Sequence, residues 1–177
     1  MSPTTSPTPR GGATRHALPF DPIEEAARQW DMHYEQTTRM AAVTSLMRVH
    51  QLVLTELDEL LRPLGLTFAR YEVLVLLSFT RRGELPLGKI GERLQVHATS
   101  VTPLVKRLAT AGLIDRSAHP EDGRTVLASI TQRGRDVLAQ ATTAITDHRF
   151  GLGSMSDEEC RHLTRLLRTP RSAAGDF

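Results

Sequence analysis

Only one cysteine, Cys160, occurs in the 177 residues. No internal disulfide can form, and a reducing compartment, the cytoplasm, is the expected setting. Nowhere do 18 apolar residues run together, so no membrane-spanning helix is expected. A positively charged start followed by an apolar core is also missing, which argues against a secretory signal. The sequence has no G-x-S-x-G, Walker loop, G-x-G-x-x-G, H-E-x-x-H or paired-cysteine motif, and nothing else sets a nucleophile beside a base. No catalytic residue is therefore expected, and the chain does not read as an enzyme. Seven histidines are present without a cluster at metal-ligand spacing, so neither a metal nor a cofactor is expected. Repeats of 20 to 50 residues are absent.

What is present is an ordinary globular composition, 40% hydrophobic and 24% charged, sufficient for one cored domain with added interface helices but not for two independent domains. The charge is unevenly spread. Residues 81–135 hold ten Lys and Arg against five Asp and Glu, whereas the rest of the chain holds twelve against fifteen. A basic middle between mildly acidic ends suggests a polyanionic partner, of which nucleic acid is the commonest.

Residues 1–19 are rich in Pro, Ser, Thr and Gly and read as a disordered tail. From Asp21, a candidate N-cap followed by Pro22, the stripe Ile23, Ala26, Ala27, Trp30 and Tyr34 predicts a helix. A longer one follows, in which Val43, Leu46, Met47, His50, Val53, Leu54, Leu57, Leu60 and Leu61 recur at steps of three and four until "RPLG". "TFARYEVLVLLSF" starts at a Thr67 cap and is apolar nearly all round, which predicts a buried helix.

Two short helices are then expected to meet across a tight turn, "LPLGKIGERL" and "HATSVTPLVKRLATAGLI". The second buries Val101, Leu104, Val105 and Leu108. Its opposite face carries Thr99, Thr102, Pro103 and Lys106, flanked by Ser100 and Arg107. "GLIDRS" and "TVLASIT" read as the two strands of a hairpin whose tip, "HPEDGRTV", combines the turn formers Pro120, Asp122 and Gly123 with Arg124. A helix over "TQRGRDVLAQATTAITDH" presents Val137, Leu138, Ala141, Ala144, Ile145 and His148. The last helix is announced by Ser156 and Glu159, spaced as a capping box, and carries Leu163, Leu166 and Leu167.

Helix, turn, polar-faced helix and arginine-tipped hairpin follow the order of a winged helix-turn-helix, mainly α with a small β wing. In the major groove, Thr, Ser and Lys side chains can meet base edges and phosphates. An arginine on the hairpin tip suits the adjacent narrow minor groove, with Asp122 holding Arg124 in one orientation. Arg116, Arg81 and Arg82 read as surface charges with phosphate contact open to them; Arg116 is counted among the DNA-binding candidates.

The stretch "LGKIGERLQVHATSVTPLVKRLATAGLIDRSAHPEDGRTVLASITQRG", with its D-x-R wing and the T-x-x-G that opens the next helix, resembles the DNA-binding core of the MarR family (multiple antibiotic resistance regulators), and the likeness spans roughly residues 37–168. The resemblance implies a homodimer knitted by N- and C-terminal helices, two winged lobes on adjacent grooves of a palindromic double-stranded DNA operator, and a repressor released by a small molecule or by oxidation. On this reading, residues 20–65 and 132–170 are dimerisation helices, 66–131 the DNA-binding domain, and 171–177 a tail. The extra N-terminal helix with Trp30 is similar to a subset that answers to urate or other organic anions. Two departures stand out. Pro103 falls inside the recognition helix, where it removes a backbone donor and can bend the first turns, with Ala98 where relatives often carry Pro. Gly123 stands where many have a second arginine, so the relatives' base preference does not carry over.

Trp30 reads either as an anchor for its own helix or as a ligand platform. His50 reads as a core or interface histidine or as a pocket residue. Arg48 and Arg70 either pair with an anionic effector or form helix-surface salt bridges. Cys160 reads as a small hydrophobe on the last helix. Two competing functions are a dimeric winged-helix adaptor that does not bind DNA and a redox-responsive regulator.

Overall fold

Asp21 opens the first helix by accepting the Ile23 N–H at 2.8 Å, with Pro22 next in line. The computed structural model describes residues 17–120, 122 and 125–177. Helix α1 (Pro22–Asp31) is followed by α2 (Thr37–Leu61), which ends in a 3-10 turn, Arg62–Leu64, and in Gly65 at φ 70°. The "RPLG" stop therefore works through a proline-opened turn and a left-handed glycine. The chain divides into two units, Met1–Val49 and His50–Phe177. In the first, α1 buries none of its residues, and Trp30, Met32, Tyr34, Val43, Leu46 and Met47 are exposed.

The second unit holds the core. Helix α3 (Phe68–Ser78) lies in its middle, with Val73, Leu74 and Leu77 at 0% exposure. Its start differs from the expected cap: the Thr67 hydroxyl makes no capping bond and accepts from Arg70 Nε at 3.2 Å. The Phe68 N–H is instead held by Asp58 Oδ1 from α2 at 2.7 Å. A carboxylate from a neighbouring helix is the stronger acceptor for an exposed helix N-terminus.

The sheet has three strands where two were expected. β1 (Glu84–Pro86) lies beside β3 (Val126–Ile130), which pairs with β2 (Ile114–Ala118), giving the order β1-β3-β2, antiparallel throughout. Its register sets Ile114 opposite Ile130 and Arg116 opposite Ala128. Between β1 and β2 lie α4 (Leu87–Leu94) and α5 (Ala98–Thr110).

After the sheet, α6 (Gln132–Asp147) begins at a tied junction. The Thr131 hydroxyl accepts the Gly134 N–H at 3.0 Å and donates to the Gly112 carbonyl at 2.9 Å, while the Thr131 N–H donates to the Leu113 carbonyl at 3.1 Å. A Cβ on Gly134 would stand 2.1 Å from that same Leu113 oxygen, so the helix can pass this close only with glycine there. The T-x-x-G signature is thus a packing requirement where the base of the wing meets α6.

Helix α7 (Asp157–Ala173) starts with the full capping box of Ser156 and Glu159. The Glu159 carboxyl is held below its usual range, chiefly by the Ser156 backbone N–H. The helix continues through Pro170 to Ala173, three residues beyond the expected end at 170. The final residues are tied as well: Asp176 accepts from Gln95 Nε2 and from Arg171 Nε. The Phe177 ring lies 5.1 Å from the Arg168 guanidinium and 5.4 Å from that of Arg171.

Candidate nucleic-acid interface

The turn between α4 and α5 is built for close approach. Gln95 closes α4 in the left-handed region at φ 54°, and the Val96 N–H returns to the Gly91 carbonyl at 3.1 Å. Gly91 leaves no room for a side chain, since a Cβ there would meet the Val96 oxygen at 3.0 Å and Val101 at 3.3 Å. The two helices therefore cross tightly.

Helix α5 is capped by His97, whose Nδ1 accepts the Thr99 N–H at 3.3 Å and lies 2.8 Å from Thr99 Oγ1. Nothing in the sequence announced this cap, because histidine is not among the residues that favour the position. Val101, Val105 and Leu108 are at most 1% exposed and pin one side of α5 to the core. The opposite side is open, and Thr99, Ser100, Thr102, Pro103, Lys106 and Arg107 are all exposed on it. The helix runs unbroken through Pro103, which supplies no N–H to the Thr99 carbonyl. Neither Lys106 nor Arg107 forms an ion pair among the described residues.

Arg70 joins this face. It lines a groove of about 520 Å³ with Pro103, Lys106, Arg107, Thr110 and Ala111. Its guanidinium is held by the Gly65 carbonyl at 2.8 Å and by Thr67 Oγ1, and no salt bridge engages it among the described residues. Three cations thus share one groove.

On the wing, Arg116 is exposed on β2. The hairpin closes with His119 N–H on the Thr125 carbonyl at 2.8 Å and Thr125 N–H on the Asp122 carbonyl at 2.9 Å. The Asp122 carboxylate accepts from Thr125 Oγ1 at 2.7 Å, so it braces the turn itself. Arg124 lies outside the described residues, as do Glu121 and Gly123, and so does the expected pairing of Asp122 with Arg124.

The four expected ligand residues divide between the two units, Trp30 and Arg48 in the first and His50 and Arg70 in the second. Trp30 donates its indole N–H to the Glu35 carbonyl at 2.9 Å and packs on Tyr34 with ring centroids 4.7 Å apart, an anchor for the end of its own helix. Arg48 is exposed on α2. Arg70 sits in the groove beside α5. His50 lines a cleft between α2 and α3, of about 410 Å³, shared with Val53, Leu54, Leu57, Phe68, Ala69 and Glu72. Glu72 was not anticipated, although it is the sole acid in the apolar α3 segment. Burial raises its carboxyl above the usual range. Cys160 is half-buried on α7. Among the described residues no three His, Cys, Asp or Glu are grouped to hold a metal, and no helix is long and apolar enough to cross a membrane.

A tight helical turn, an outward polar helix and a hairpin on a three-stranded sheet define a winged helix-turn-helix protein. Comparison with known proteins narrows this class. The sequence profile of the MarR family matches residues 66–126. The chain is similar to the organic hydroperoxide resistance transcriptional regulator of Bacillus subtilis, 34% identical over 110 residues, which are 62% of this chain and 73% of that protein. It is similar also to Sco5413, a MarR family transcriptional regulator from Streptomyces coelicolor, at 51% identity and a TM-score of 0.75, covering 79% of this chain and 97% of that one. The fold matches that of Sco3205 from the same organism, a MarR family regulator solved in complex with DNA, at 20% identity and a TM-score of 0.72 over 80% of this chain and 90% of that one. The chain belongs to the MarR family and is a DNA-binding transcriptional regulator, not an enzyme.

Proposed function

We propose that the protein is a cytoplasmic, ligand-responsive repressor that binds a palindromic operator as a homodimer. Helix α5 enters the major groove, with Thr99, Ser100 and Thr102 at base edges and Lys106, Arg107 and Arg70 on phosphates. Arg124 reaches the neighbouring minor groove, and Arg116 meets the backbone beside it. Residues 66–131 form the DNA-binding domain, and the helices of 20–65 and 132–170 form the dimer. The single observation that carries this reading is the groove in which Arg70, Lys106 and Arg107 converge beside the open polar face of α5. Three cations without acidic partners attract a polyanion; an adaptor that does not bind DNA has no need of them.

A small-molecule effector would act by favouring a dimer geometry that fits the operator less well. An organic anion was expected as that effector, but Arg48 and Arg70, the cations named for it, do not line the cleft that holds His50. A redox-responsive regulator would depend on Cys160 alone.

A gel shift on the DNA upstream of the protein's own gene tests the proposal. A retarded band that weakens steeply between low and physiological salt is expected, since phosphate contacts release counterions. Arg124→Ala should weaken operator binding by about 1–3 kcal/mol at matched salt while leaving the dimer folded. Absence of any shift, or affinity indifferent to salt, would favour the adaptor.

A further inference from the structure

We infer that the cleft between α2 and α3 takes an apolar organic amine, with Glu72 as its counter-charge. The binding step stands on the cleft alone; only its consequence for DNA rests on the ligand-responsive reading above. At about 410 Å³ the cavity has the size of a small-molecule site. Val53, Leu54, Leu57 and Ala69 give it hydrocarbon walls, and Phe68 adds an aromatic one.

The charges decide what such walls would accept. Among the described residues no Lys or Arg lines the cleft; its titratable members are His50 and Glu72. Among the described residues no hydrogen bond or ion pair engages the Glu72 carboxylate, and its oxygens are not sealed off from the cleft. Other groups nearby are already engaged. Asp58 is spent on the Phe68 N–H, and the Tyr71 hydroxyl lies 3.2 Å from Thr142 Oγ1. A half-buried acid without a protein partner, facing a cleft, marks a place where a ligand can supply the missing charge. An organic anion would lose its hydration, find no Lys or Arg and face Glu72. An ammonium on an apolar body would pair with Glu72, gain the face of Phe68 and cover the aliphatic wall.

The test is calorimetric titration of the full-length protein with 2-phenylethylamine and with 3-phenylpropanoate, alike in body and opposite in charge. The amine should bind and the carboxylate should not, and Glu72→Gln should lower amine affinity by about tenfold or more. Ala69→Leu, which fills the cleft while keeping the acid, should also abolish amine binding, and it keeps the inference testable should Glu72→Gln unfold. No binding of the amine, equal or tighter binding of the carboxylate, or an amine affinity unchanged in either folded variant overturns the inference. The gel shift is read separately. Calorimetric failure with an intact shift refutes the amine site alone, whereas amine binding without any shift refutes the operator reading alone.

Discussion

Burial disfavours the charged form of Glu72, and the sign of its effect on stability follows from that. Its carboxyl is raised above the ordinary 4.5, so between the unfolded and folded titrations the native state holds the proton more often than the unfolded chain does. Stability therefore falls as pH rises through that window, and the cost is fully present above the folded value. Glu72→Gln should raise the thermal midpoint at neutral pH, and the gain should vanish once the pH drops below the ordinary carboxylate range. Paired melting curves across pH would check this, and a midpoint lowered at neutral pH would contradict it. Gly134 is the opposite case, a residue whose value lies in having no side chain. Gly134→Ala drives a methyl into the Leu113 carbonyl and should cost about 1–3 kcal/mol in chemical denaturation.

Among elements, α5 holds the least expected residue. Pro103 deprives the Thr99 carbonyl of its helical donor on the exposed polar face of the helix. Pro103→Ala should restore that bond and stabilise the protein by up to about 3 kcal/mol, read as a shift of the denaturant midpoint. If the midpoint does not move, the surroundings of the helix already compensate for the proline.

The elements also show what was legible in the sequence. Helices with a strong apolar period and a capping residue of the favoured kind, α1 after Asp21 and α7 after Ser156, were readable because both signals are local. The polar face of α5 was readable for the same reason. β1 was not: three residues ending in Pro86 cannot show a period of two, and the strand exists because β3 offers it an edge. The capping of α3 by Asp58 rather than Thr67 was equally hidden, since the two partners lie ten residues apart across a turn. The groove that Arg70 shares with Lys106 and Arg107 was not legible, because these neighbours are brought to it only by the fold.

For the whole molecule, the exposed apolar side chains are the main unsettled energy. Trp30, Met32, Tyr34, Val43, Leu46 and Met47 in the first unit, and Phe150 and Leu166 in the second, are each more than a third exposed. Helix α7, with its apolar stripe, has no buried residue. Apolar surface on this scale is normally covered by a second copy. Light scattering should return twice the chain mass at micromolar concentration, and a stable monomer would refute the dimer.

The bonds at Thr131 also make the start of α6 a pivot welded to the wing. Through Gly112, Leu113 and Gly134 the base of the hairpin is tied directly to the start of the helix that follows it. With 16 residues, α6 is a lever about 24 Å long, so a tilt of about 5° shifts its far end by about 2 Å. Small displacements anywhere along that arm are thus converted into a change of angle at the wing, in either direction and without slack.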